Sequence, residues 1–107
     1  MDKDNARIGH IEDAITRIET YTAGMDTIGF QHNAMARDAV LRQLEIIGEA
    51  ARHVSEVERE KYPRVDWPRI VGMRNRLIHE YFEVDWNIVW ETVVSDIPLL
   101  KKELSPR

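Results

Sequence analysis

The sequence predicts an all-α fold, an up-and-down bundle of four principal helices with one short extra helical turn. Three observations carry this expectation. Apolar residues recur at spacings of three and four through long stretches near the start, middle and end of the chain. Capping side chains, Asn33, Ser55, Asp66 and Asp85, stand where helical patterns begin. The connections between patterns are short or moderate, which favours antiparallel neighbours. With 107 residues the chain is read as a single domain, 1–107, small enough that a homodimer is the natural way to add buried surface.

In the first helix Ile8, Ile11, Ile15 and Ile18 form a narrow seam, with Ala14 and Tyr21 beside it. Asp4 or Asn5 is the expected cap, and Gly24 the expected stop, because glycine takes the left-handed conformation after a last turn. Met25 to Asn33 lacks a sustained period and reads as a connection with one or two apolar anchors. Asn33 then caps a second helix to about Val54, with Val40, Leu41, Leu44, Ile47, Gly48, Ala51 and Val54 on its apolar face. Gly48 costs roughly 1 kcal/mol relative to alanine in a helix interior, so a close helix crossing is expected there. Arg42, Glu45 and Glu49 share one side of this helix, where charge pairing is the favoured role and lining a cleft the alternative.

Ser55-Glu56-Val57-Glu58 has the form of a capping box, so a short helical turn should follow and end by Pro63. Val65-Asp66-Trp67-Pro68 and Val84-Asp85-Trp86-Asn87 read as two further helix starts. The third helix is expected from Trp67 to about Ile78. The fourth is expected from Trp86 to about Leu104, with Trp86, Val89, Trp90, Val93, Ile97, Leu100 and Leu104 as its apolar stripe and a bend at Pro98.

Apolar residues make up 43% of the chain and charged ones 32%, which suits a helix-rich globular protein. There is no cysteine, which excludes disulfides and thiolate metal sites. No apolar run approaches a membrane span and the amino terminus lacks the apolar core of a secretion signal, so the cytoplasm is the expected compartment. Net charge is −4, yet the stretch from Arg64 to His79 holds four arginines against the single acid Asp66. An acidic body with one basic segment suits local phosphate contact; pairing of these arginines with acids on neighbouring helices is the equally weighted alternative.

Within that segment runs Gly72-Met73-Arg74-Asn75-Arg76-Leu77-Ile78-His79-Glu80-Tyr81-Phe82. Arg74 and Arg76 supply fixed positive charge, Asn75 a neutral donor and acceptor, and His79 a group that exchanges protons near neutrality. On one regular helix Arg74 and His79 would lie about 140° apart. Either the helix breaks before His79 or a second copy of the chain completes a site. Cleavage of RNA by its own 2′-hydroxyl needs a base, an acid and positive charge at the phosphorane, and two symmetry-related histidines and arginines would supply all three.

These residues resemble the R-x4-H-x-Y motif of HEPN-domain proteins, with Arg74, His79 and Tyr81 in the matching places and Asn75 directly after the arginine. The HepT-like branch is the one the chain is similar to, and the likeness extends over Leu44 to Ala50 and Asp66 to Phe82. The resemblance implies an all-helical homodimer whose motifs meet at the interface. It also implies a metal-independent endoribonuclease, without cofactor, acting as the toxin of a toxin–antitoxin pair. In this frame Arg74, Asn75 and His79 are the catalytic set, Arg69 and Arg76 are candidates for RNA contact, and no metal is bound. The implied partner is a minimal nucleotidyltransferase antitoxin able to transfer AMP to the motif tyrosine, here Tyr81. A bulky anion two residues from His79 would repel an incoming phosphate.

Two other roles compete with the toxin: a non-catalytic binding module that regulates a nucleotidyltransferase, and a purely structural helical dimer. A proton-transfer residue beside arginine and asparagine favours the enzyme, since a binding module has no use for one. His10, His32 and His53 fall on polar or loop positions and read as surface residues.

Overall fold

A computed structural model describes residues 2–80 and 83–105. The chain is built mainly of helices: α1 (Asp2–Thr22), α2 (Thr27–Gln31), α3 (Ala34–Arg52), α4 (Glu56–Arg59), α5 (Trp67–Val71), α6 (Met73–Leu77), α7 (Trp86–Glu91) and α8 (Ile97–Leu104). A π-helical turn, Thr92–Asp96, joins the last two, and a two-stranded antiparallel ribbon, β1 (Ile78–Glu80) with β2 (Glu83–Val84), separates α6 from α7. The all-α expectation holds.

α1 and α3 form the long hairpin on which the rest is assembled. The isoleucine seam Ile8, Ile11, Ile15 and Ile18 is buried against the same core as Val40, Leu44, Ile47 and Ala51. Gly24 ends α1 with φ +76°, as expected of a left-handed stop. Asn33 caps α3, its Oδ1 accepting from the Ala36 N–H at 2.9 Å. The fourth rod closes the core with Val89, Val93, Ile97, Leu100 and Leu104, while Trp86 and Trp90 lie half-buried against it. Phe30 is fully buried, with its ring 4.9 Å from that of Trp90.

Several expected boundaries need correction. α1 begins at Asp2, so neither Asp4 nor Asn5 is its cap; the Asp4 carboxylate instead accepts from the Ser55 N–H (3.0 Å) and hydroxyl (2.7 Å). Ser55 in turn accepts from the Glu58 N–H at 3.1 Å, so one relay pins the start of α1 to the start of α4. The connection from Met25 to Asn33 contains a helical turn, α2, because Asp26 accepts from the Gly29 N–H at 2.8 Å and caps it. α3 stops at Arg52, before the expected Val54.

The third helix departs most. It breaks at Gly72 into α5 and α6, and it ends at Leu77 rather than Ile78. Gly72 sits where an added Cβ would come within 3.2 Å of the Pro68 carbonyl. Beyond Leu77 the chain turns extended, with Ile78 at φ −122° and ψ 113°, and pairs with Val84.

The expected close crossing at Gly48 is present: a Cβ there would lie 3.4 Å from the Ile70 carbonyl and 3.7 Å from that of Val71, so α3 packs onto the backbone of α5. In the last rod Pro98 has no N–H to offer, and just before it the ladder widens, with the Ile97 N–H donating to the Thr92 carbonyl.

Candidate active site

The segment from α6 to α7 carries the sequence-expected residues, and each break in the third helix redirects one of them. Arg74 and Asn75 lie on α6, His79 on β1. Because the chain leaves helical geometry at Ile78, the 140° separation of an unbroken helix does not apply to Arg74 and His79.

Arg74 reaches across to α3, where its Nε donates to Glu45 Oε2 at 3.2 Å. The Arg74 side chain is more than half exposed and can meet an incoming anion, while the carboxylate fixes its direction. His79 is likewise more than half exposed, with Nε2 at 4.0 Å from Asp85 Oδ2. The other oxygen of Asp85 caps α7 by accepting from the Ile88 N–H at 3.1 Å. One carboxylate thus starts a helix and faces the histidine. Asn75 is exposed, and its side-chain amide makes no hydrogen bond with any described residue.

Arg69 and Arg76 point elsewhere. Both are held by Asp96 of the π turn, Arg69 through Nε at 3.1 Å and Arg76 through a terminal nitrogen at 3.3 Å. Arg69 remains half exposed, whereas Arg76 is largely covered, with its Nε buried and unpaired. The two arginines that flank the motif therefore tie α5 and α6 to the last rod. Tyr81 lies outside the described residues.

The sequence marks Asp85 only as a cap, and Glu45 mainly as a partner for its helix neighbours. Glu45 instead engages Arg74, 29 positions away, while Glu49 takes Arg52 and His53 at 3.3 and 3.0 Å. His53 donation is the main reason that the Glu49 carboxyl is held below the usual carboxylate range. His10 and His32 are exposed, as expected. No helix among the described residues is long and apolar enough to cross a membrane.

Comparison with known proteins adds the family to this geometry. The family described as Ribonuclease HepT-like matches residues 11–106. A Methanocaldococcus jannaschii protein whose name assigns it as an RNase is 48% identical over 84 residues, 78% of this chain and 77% of that protein. A similarly named protein of Caldanaerobacter subterraneus subsp. tengcongensis is 43% identical over 81 residues, 76% of this chain and 72% of its own. A Thermococcus cleftensis protein named as a ribonuclease HepT is 40% identical over 91 residues, 85% of this chain and 83% of its own. No solved structure matches the chain. The segment that carries Arg74, Asn75 and His79 lies inside the matched residues, and the chain belongs to the HepT-like ribonuclease family.

Proposed function

We propose that this chain is the toxin of a toxin–antitoxin pair, a metal-independent endoribonuclease of the cytoplasm that works as a homodimer. The observation that carries the proposal is the junction of α6 and β1. There an anchored but exposed arginine, an asparagine amide with no hydrogen bond to any described residue and an exposed histidine facing a carboxylate follow one another within six residues, in a chain of ribonuclease family.

In the reaction the 2′-oxygen of a ribose attacks the adjacent phosphorus as its proton passes to a base, and the bond to the 5′-oxygen breaks as that oxygen takes a proton from an acid. The products are a 2′,3′-cyclic phosphate and a 5′-hydroxyl. His79 suits either proton transfer, and the Asp85 carboxylate, 4.0 Å from its Nε2, faces the ring. Arg74 and Asn75 stabilise the charge on the phosphorane. In-line displacement puts the 2′-oxygen and the 5′-oxygen on opposite sides of phosphorus, out of reach of a single histidine, so the second role falls to His79 of the other protomer. Of the two arginines held by Asp96, the half-exposed Arg69 contacts RNA outside the catalytic set, and Arg76, largely covered, adds to the positive charge of the segment.

A nucleotidyltransferase antitoxin silences the enzyme by transferring AMP to Tyr81. The decisive experiment is incubation of purified protein with single-stranded RNA in chelator. Cleavage with 2′,3′-cyclic ends is expected, abolished by His79→Ala in a variant that remains dimeric. Equal cleavage by that variant would remove His79 from the site, and no cleavage by wild type would favour the non-catalytic module. Mass increments of AMP that persist in Tyr81→Phe would exclude Tyr81 as sole acceptor.

A further inference from the structure

α1 and α3 run antiparallel, as the contact of Asp4 with Ser55 requires, and between them on one side lies an open cleft of about 470 Å³. Its walls carry Lys3, Arg7 and Arg42, and its floor is apolar, with Ile46 and Ala50. Two carboxylates, Glu45 and Glu49, also line it, but each is already neutralised by an arginine, Arg74 for the first and Arg52 for the second. Lys3 and Arg42 are exposed and have no hydrogen bond or ion pair with any described residue, while Arg7 spends one nitrogen on the His53 carbonyl at 2.9 Å. In a chain of net charge −4, this cleft is a local attractor for anions.

Its direction is informative. Glu45 is both a wall of the cleft and the anchor of Arg74, so one end of the cleft opens at the proposed catalytic arginine. From Arg42 to His53 the wall of α3 extends about 16 Å along the helix axis. We infer that the α1–α3 cleft is a substrate subsite that holds the RNA strand flanking the scissile phosphate, Arg42 at the near end and Arg7 with Lys3 at the far end. The inference rests on the ribonuclease reading. The apolar floor suits a sugar or base face, and the unpaired cations suit successive phosphates; sequence preference is not required of either.

The test separates this inference from the reading beneath it. In a His79→Ala background, binding of a fluorescent single-stranded oligoribonucleotide is measured against salt for Lys3→Gln, Arg42→Gln and the pair. Each substitution is expected to lower the slope of log affinity against log salt by about 0.7, the value for one lost phosphate contact on a single strand. In the catalytically intact chain the pair should raise KM for the oligoribonucleotide and leave cleavage of a dinucleoside monophosphate unchanged. If wild type cleaves but slope and KM do not move, the subsite is overturned while the ribonuclease stands. Unchanged RNA binding with weakened binding of the nucleotidyltransferase would assign the cleft to a protein and overturn it equally. Failure of wild type to cleave either substrate would bring down the ribonuclease reading and the inference with it.

Discussion

The two halves of the chain are built on different terms. From Asp2 to Arg52 two helices of 21 and 19 residues bear the long hairpin, joined through a single turn of helix. Among the described residues from Trp67 onward no element exceeds eight residues: α-helix gives way at Gly72, at Leu77 and again at Thr92. The first half has one apolar seam per helix and nothing to interrupt it. The second half still buries Trp67, Ile70, Met73 and Leu77, but its breaks re-aim the polar side chains between them, turning His79 toward Asp85 and Asp96 toward Arg69 and Arg76. The difference teaches that stability and chemistry are divided along the chain, with Glu45 as the link from the hairpin to the motif.

Substitutions can break or sharpen that division. The largest effect is expected of His79→Ala, which should cut the rate of RNA cleavage by about 10²–10⁴-fold, the usual worth of a positioned proton-transfer group. Its denaturation midpoint should stay near that of wild type, because the imidazole is more than half exposed. A coincident loss of stability in urea would show the motif to be structural.

Leu44→Ala is the converse case. Leu44 is fully buried in the hairpin core, and truncation should cost about 2–5 kcal/mol in urea unfolding. RNA cleavage by the folded fraction should be retained.

A smaller effect falls on the crossing of α3 and α5. Gly48→Ala places a methyl in ordinary contact with the Ile70 carbonyl and gains helix propensity, so stability should hold or rise by up to about 1 kcal/mol. Gly48→Leu must displace the α5 backbone and should destabilise by about 1–3 kcal/mol, read by thermal or urea melting.

The smallest effect is one of pH. Hydrogen bonds from the Ser55 N–H and hydroxyl hold the Asp4 carboxyl below its ordinary range. A depressed folded-state value means that its contribution is fully present above the unfolded pKa of about 3.9 and fades as pH falls through the folded value. Asp4→Asn should therefore lower stability at neutral pH and shallow the decline measured below pH about 4. An identical acid limb in the two proteins would exclude Asp4 as a contributor.

The hairpin and the last rod were legible because their apolar period runs on without a break, and the caps Asn33, Ser55, Asp66 and Asp85 because the donor they serve lies three residues away. Of the site, the identity of Arg74, Asn75 and His79 was legible, since residue chemistry does not depend on conformation. Their partners were not. Arg74 meets Glu45 across 29 positions, Arg69 meets Asp96 across 27, and no local rule reports such a pairing. The turn from helix to strand at Ile78 had a local signal in Ile78 and Val84, β-branched residues flanking the stretch, but helical spacing from Trp67 onward masked it.

The π turn has one more consequence, which concerns phase. Val89, Val93 and Ile97 follow one another at intervals of four, and on a regular α-helix two such steps drift about 80° off a straight line. All three are buried in one core. A wider turn between them removes that drift, acting as a spacer that rotates the Ile97, Leu100 and Leu104 face back toward the hairpin.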